Sequence, residues 1–334
     1  MTTSTTIHHR QKRTSWILGA LVFSIRSCSG LFFDQSVVID PNDPLENTGP
    51  STVITEPVQF ALETDTLQGE MFIPRESDGS FTEIYGFVLF MPGAGSSFTM
   101  YEDYLNHLAS HGYLTVGLDF ASRGITTESE HDLKAQQALD VIAAVQSMDS
   151  AYESLPVICA GHSQGGKISF YAASTDTTGS IKGVMAMDPV NSGGPPCFLF
   201  PNLCIKYPVA PNTESGQRGI MHQMSDGTGS IIFRSEPDFF TNPDEQFNAQ
   251  YFYYGSDGQG TDAAPSPAFY YDMGNFGHTA YLPMLCSEQI QLIKRSMVAF
   301  LQQHIQGIGR DDYLTGNIVQ ADIDSGYLNA VESR

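Results

Sequence analysis

The sequence predicts a doubly wound α/β fold: a mostly parallel sheet with helices on both faces and a long insertion after the strand that ends at Asp188. Three observations predict it. From Ile84 onward, short apolar runs alternate with longer stretches whose apolar residues recur at helical spacing, the pattern of parallel strands joined by crossover helices. Gly161-His162-Ser163-Gln164-Gly165 stands between one such run and one such helix, and small residues two positions either side of a serine let a strand turn sharply into a helix. After Val190 the alternation breaks for a long stretch rich in Gly, Pro and Asn, more than a compact domain needs to join two elements, so a lid or substrate wall is expected there.

Taken in order, residues 1–30 hold Arg10, Lys12, Arg13 and Arg26 and no acidic residue, with the apolar stretch Trp16 to Ile25 followed by Ser27-Cys28-Ser29-Gly30. That is the layout of a secretory signal peptide cleaved near Ser29 or Gly30, and its apolar stretch is shorter than the roughly 20 residues a spanning helix needs. The expected destination is the extracellular space, or a plastid if the source reaches its plastids through the secretory route. Residues 31–56, rich in Asp, Asn, Pro and Ser, read as a linker, residues 57–306 as the catalytic domain and residues 307–334 as a tail. Within the domain, Val58 to Leu62 and Leu67 to Ile73 read as an antiparallel pair at the sheet edge. Strands follow at Ile84 to Met91, Tyr113 to Phe120, Leu155 to Ala160 and Ile181 to Met187, separated by helices at Thr99 to Ser110, Glu128 to Met148 and behind Ser163. Beyond the insertion, strands are expected at Ser230 to Arg234 and Ala268 to Tyr271, and a closing helix at Ser287 to Ile305.

The 334 residues include 37 acidic and 16 basic ones, a net charge of -21, which repels phosphate backbones and argues against a nucleic-acid partner. The five cysteines form no CxxC pattern, so zinc is not suggested, and no metal or other cofactor is expected. Cys159 is expected to pack as a small apolar residue, and Cys197 with Cys204 would be free to close a disulfide in an oxidising compartment.

A serine hydroxyl becomes a useful nucleophile only beside a histidine that takes its proton, itself held by a carboxylate. Ser163 is the candidate nucleophile. Of the nine histidines, His8 and His9 belong to the signal segment, His162 to the turn itself, and His107 and His111 to the first helix and its end. His131, His222 and His304 read as surface or structural residues. His278, in a glycine-bearing loop after the last parallel strand, is the one that follows the nucleophile in the order this architecture requires. Three acids compete: Asp188 at the end of the strand after the nucleophile helix, and Asp238 and Asp244 after the next strand, of which Asp238 is the more usual placement. For the oxyanion, the amide of Gln164 is one expected donor, and the loop Pro92-Gly93-Ala94-Gly95-Ser96-Ser97 supplies the other at Ala94. Phe198-Leu199-Phe200 and the methionines Met221 and Met224 are candidates for a wall against a long-chain substrate, with core packing as the plainer expectation for them.

Together these pieces resemble the α/β-hydrolase superfamily across roughly residues 57–306. Three segments are similar to chlorophyllase: Leu108-Ala109-Ser110-His111-Gly112-Tyr113, the nucleophile segment Gly161 to Lys167, and Met187-Asp188-Pro189-Val190 paired with Phe276-Gly277-His278. The resemblance implies an esterase that releases phytol from chlorophyll, and it implies Asp188 as the acid. Gln164 stands where the plant enzymes carry arginine, and Pro92-Gly93 replaces a His-Gly pair. A hydrophobic ester, chlorophyll included, is thus the expected partner, met in transient contact with a membrane surface. Pro92-Gly93 and Ser235-Glu236-Pro237-Asp238 are similar to segments of cutinase and polyester hydrolases, so a general lipase-like or cutinase-like carboxylesterase is the alternative. A catalytically inactive binding protein on the same fold is the remaining one.

Overall fold

The computed structural model describes residues 43–63, 65–80, 82–120, 128–190, 220–236, 249–255, 263–283 and 288–334. The signal-like segment, Cys197, Cys204, Cys286, Phe198 to Phe200, Asp238 and Asp244 lie outside them. Among the described residues nine strands form one sheet, β1 (Thr52–Ala61), β2 (Thr66–Arg75), β3 (Gly86–Met91), β4 (Tyr113–Asp119), β5 (Val157–His162), β6 (Ile181–Met187), β7 (Gly229–Arg234), β8 (Ala268–Asp272) and β9 (Ala330–Ser333). Their order across the sheet is β1-β2-β4-β3-β5-β6-β7-β8-β9. Strands β3 to β8 run parallel, while β1 and β2 at one end and β9 at the other are antiparallel to their neighbours.

The parallel strands are buried on both faces, and their side chains alternate between two cores. Phe87, Leu89, Val157, Cys159, Val184 and Ala186 point to one face, Val88, Phe90, Ile158, Ala160, Met185 and Met187 to the other. This is the period of two that a pleated strand imposes. The first face is covered by α2 (Glu128–Met148), α3 (Gln164–Thr175) and the short α4 (Ala249–Tyr254). The second is covered by α1 (Glu102–Ser110), α5 (Glu288–His304), α6 (Asp311–Leu314) and α7 (Asn317–Asp324). Ala135, Ala138, Val141, Ile142 and Val145 of α2 are all buried, which explains why its helical period was legible. Cys159 is a free, buried thiol whose pKa is pushed up by burial. Met221 and Met224 are buried in the first core.

The sequence reading and the structure differ at both ends of the domain. β1 begins at Thr52 inside the segment expected to be linker, and residues 43–51 are anchored before it. Leu45 is buried, its carbonyl accepts a hydrogen bond from His107 Nε2 at 2.9 Å, and the Gly49 and Ser51 amides donate to Ser110. Nothing in the local Asp/Asn/Pro composition announces those partners, because all of them lie on α1. Residues 307–334, expected as a tail, form α6, α7 and the edge strand β9. Arg295 of α5 ties both regions down, pairing with Glu46 and with Asp322.

Candidate active site

The turn from β5 into α3 is built by close approach. A Cβ on Gly161 would lie 2.5 Å from the Met91 carbonyl oxygen, and one on Gly165 would lie 1.9 Å from the same atom. Only glycine lets β3 and the start of α3 meet there. Ser163 between them takes φ 53°, a left-handed value that a side chain tolerates only when its surroundings enforce it. The enforcing contact is the Ser163 amide, which donates to the Met187 carbonyl at the end of β6 at 2.9 Å.

The next residue on β6 is Asp188, also left-handed at φ 42°. Its amide donates to the Phe233 carbonyl of β7 at 2.6 Å, which turns the side chain toward the carboxyl edge of the sheet. One carboxylate oxygen accepts the Ser235 amide at 3.2 Å, and the other meets His278 Nδ1 at 2.6 Å. His278 Nε2 in turn lies 2.8 Å from Ser163 Oγ. The structure thus brings Ser163, His278 and Asp188 together in one hydrogen-bonded line, at the ends of β5, β6 and the loop after β8. Asp188 and His278 are buried and Ser163 is partly exposed. Such a line holds an imidazole in the tautomer that can accept a hydroxyl proton. Within the described residues the end of β7, where the acid more often stands, contributes Ser235 instead, and that residue braces Asp188 through its backbone.

His278 sits in two tight helical turns, Gly274–Phe276 and His278–Tyr281, joined at Gly277 with φ 88°. His162 fastens this loop to the elbow. Its Nε2 lies 2.8 Å from the His278 carbonyl oxygen, so it donates there, which leaves Nδ1 to accept from the Tyr101 hydroxyl at 2.7 Å. Burial, with His278 adding to it, holds the His162 imidazole well below the usual histidine range, so it stays neutral; burial also raises the Tyr101 hydroxyl to about 12. His162 was expected to support the turn, but its link to the His278 loop and its partner Tyr101 had no signal in the sequence, since the three are joined only by the fold.

Of the two expected oxyanion donors, Gln164 follows the serine in sequence and Ala94 follows Gly93. Gly93 packs against the serine, since a Cβ there would lie 3.3 Å from Ser163 Cβ, and Ala94 follows at an exposed position. Asp119, the last residue of β4, fixes the far end of this loop by accepting the Ser97 hydroxyl at 2.8 Å and the Phe98 amide at 2.9 Å. Gln164 opens α3. Its side chain is gripped from α2, with Lys134 Nζ donating to Oε1 at 2.9 Å and Nε2 standing 3.4 Å from His131 Nε2. His131, expected at the surface or in a structural role, is buried beside this residue, and Lys134 carries no signal in the sequence because lysine on an amphipathic helix reads as a solvated position. Among the described residues no group of three or more His, Cys, Asp or Glu is arranged to hold a metal ion.

A sheet ordered β1-β2-β4-β3-β5-β6-β7-β8, with a serine at the tight turn after β5, decides the architecture. The fold is that of an α/β-hydrolase. A family model described as serine aminopeptidase, S33, matches residues 82–216 and supports both this superfamily and a hydrolase-type activity. No curated protein matches the chain. The matched segment of the hydrolase fold runs from the approach to β3 past Asp188, so it contains the glycine loop, Ser163 and Asp188 and stops short of His278.

Proposed function

We propose that the chain is a serine carboxylic-ester hydrolase that works through an acyl-enzyme. The observation that carries this reading is the unbroken hydrogen-bonded line from Ser163 Oγ through His278 to Asp188. Ser163 Oγ attacks the ester carbonyl while His278 Nε2 takes its proton, and Asp188 stabilises the resulting imidazolium. The carbonyl oxygen, now negative, faces the amides of Ala94 and Gln164. The intermediate collapses with the proton passing from His278 to the departing alkoxide, which leaves as the alcohol. Water then gives a proton to His278, attacks the acyl group and releases the acid, and Ser163 regains its proton.

The finer reading is a chlorophyllase-type esterase that cuts chlorophyll to chlorophyllide and phytol at a membrane surface, reached by way of the N-terminal signal. It is supported by the similarity of the nucleophile segment, and of Asp188-Pro189-Val190 with Gly277-His278, to that family. The alternative of a general lipase-like or cutinase-like carboxylesterase is favoured by Pro92-Gly93. The description of the matching family model favours a further reading, cleavage of an amino-terminal peptide bond, which the same three residues would perform.

One panel separates them: chlorophyll a, tributyrin, p-nitrophenyl butyrate and alanine p-nitroanilide, each with the wild type, Ser163→Ala and His278→Ala. Ester turnover is expected, falling by about 10³-fold or more in both variants. Near-normal ester rates in either variant overturn the proposal, and turnover confined to the anilide replaces it with the peptide-bond reading.

A further inference from the structure

The side chain of Gln164 is held on two sides by α2. An ammonium group only donates, so the 2.9 Å contact with Lys134 fixes the Gln164 carbonyl oxygen toward Lys134 and turns its amide group toward His131. His131 must then accept, and it can do so because burial, with Lys167 and Lys134 adding to it, pushes its pKa down to about 2 and keeps it neutral. Lys134 itself is 3% exposed, and its ammonium lies 5.1 Å from the centroid of the Phe120 ring. A second lysine, Lys167, is fully buried in the first turns of α3.

Positive charge is therefore gathered around the N-terminus of a helix whose own dipole is positive there. Burial disfavours the Lys134 ammonium, and Glu130 offsets only part of that cost. The Lys134 charge gains a further partner at the moment negative charge develops beside Ser163. We propose, resting on the ester-hydrolase reading above, that Lys134 is a positioning residue of the oxyanion hole. Through Gln164 it keeps the first amide of α3 aimed at the substrate carbonyl oxygen, and its buried charge favours the anionic intermediate over the neutral ester. Lys134 does not touch the substrate, so its loss acts on the intermediate and leaves ester binding nearly unchanged.

The test uses p-nitrophenyl butyrate as substrate and phenylboronic acid, whose serine adduct carries a tetrahedral negative charge, as the mimic of the intermediate. Lys134→Met is expected to lower kcat about tenfold or more, less than the 10²–10³ for loss of a direct donor. KM is expected to change less than about twofold, and boronate binding to weaken in step with kcat. Lys134→Gln keeps a donor to Gln164 without the charge and is expected to fall between Lys134→Met and the wild type, while Lys134→Arg recovers most of the rate. The pH profile supplies a readout that packing alone would not move. Burial lowers the Lys134 pKa to about 8 against the pull of Glu130, so wild-type kcat is expected to decline above that pH. Among the described groups, Glu130 on the same helix acts on the Lys134 charge, and Lys134 together with Lys167 of α3 acts on His131. The decline should be absent from Lys134→Met and Lys134→Gln.

A folded Lys134→Gln variant with wild-type kcat and an unchanged alkaline decline overturns the proposal, even if Lys134→Met does not fold. A proportional loss in kcat and gain in KM, with boronate binding intact, overturns it as well. If Ser163→Ala retains full turnover, the ester-hydrolase reading fails and this one with it. If Ser163→Ala is dead while Lys134→Gln is normal, only the role of Lys134 fails.

Discussion

At the scale of single residues, the site depends on hydrogen bonds that cross between distant elements. Tyr101, His162 and the His278 carbonyl form one such relay, with both bonds short and all three residues buried. Tyr101→Phe removes the one donor that His162 Nδ1 has in this relay and leaves a buried acceptor unsatisfied, at a cost of about 1–3 kcal/mol. The expected result is a lower urea midpoint with an unchanged slope, together with a reduced kcat as the His278 loop loosens; an unchanged midpoint would show that the relay carries no stability. Ser163 and His278 were legible as single residues because each has a local signature, a glycine-flanked turn and a glycine-bearing loop at the right point in chain order. Asp188 was not legible alone, since an aspartate before a proline is commonly a turn former. What distinguishes it is a backbone that no sequence prints: a left-handed φ and an amide pinned to Phe233.

At the scale of elements, the elbow is a contact between β3, β5 and α3 that leaves no room for a side chain. Gly165→Ala, in the first turn of α3, would place a methyl group 1.9 Å from a backbone oxygen, whereas Gly179→Ala, in a loop with φ +69°, meets nothing within 4 Å. The first change is expected to destabilise by several kcal/mol, as overpacking against rigid backbone does, and to abolish ester turnover, while the second costs only about 1 kcal/mol of backbone strain with activity kept. Thermal midpoints and initial rates of the two variants check this, and an active, stable Gly165→Ala would show that the elbow yields. The helices and strands that the sequence revealed are those with a long regular period: α2 was expected over Glu128 to Met148 and is found there, and β6 was expected over Ile181 to Met187 and is found there. The elements it hid are held by partners far along the chain. β9 has four residues and no alternation to speak of, and it is a strand because β8 offers it an edge. The first residues of β1 are exposed for the same reason: their place is set by pairing with β2 up to Arg75.

At the scale of the whole molecule, four histidines among the described residues are buried and have lowered pKa values. Burial pushes His107 to about 3 and His131 to about 2, lowers His111 and holds His162 well below the usual range. In the unfolded chain each titrates near 6.5, so below that pH the unfolded state binds protons that the folded state refuses. Stability is therefore full above about pH 6.5 and falls as the pH drops, by up to about 1.4 kcal/mol per pH unit for each such histidine. The net charge moves toward zero near pH 4.5, which relieves self-repulsion and acts in the opposite direction. Urea midpoints at pH 7.5, 6 and 5 are expected to decline steadily, and a flat or rising series would mean that charge relief outweighs the histidines. The doubly wound plan itself was readable at this scale because six parallel strands need covering on both sides, and that requirement writes the alternation of runs and helices into the chain. The seat of the acid on β6 has an evolutionary corollary. With Ser163 and Asp188 at the ends of the adjacent strands β5 and β6, β7 and the residue after it hold Asp188 by backbone hydrogen bonds, through the Phe233 carbonyl and the Ser235 amide, so mutation can exchange the side chains at those two positions across generations and leave both bonds in place.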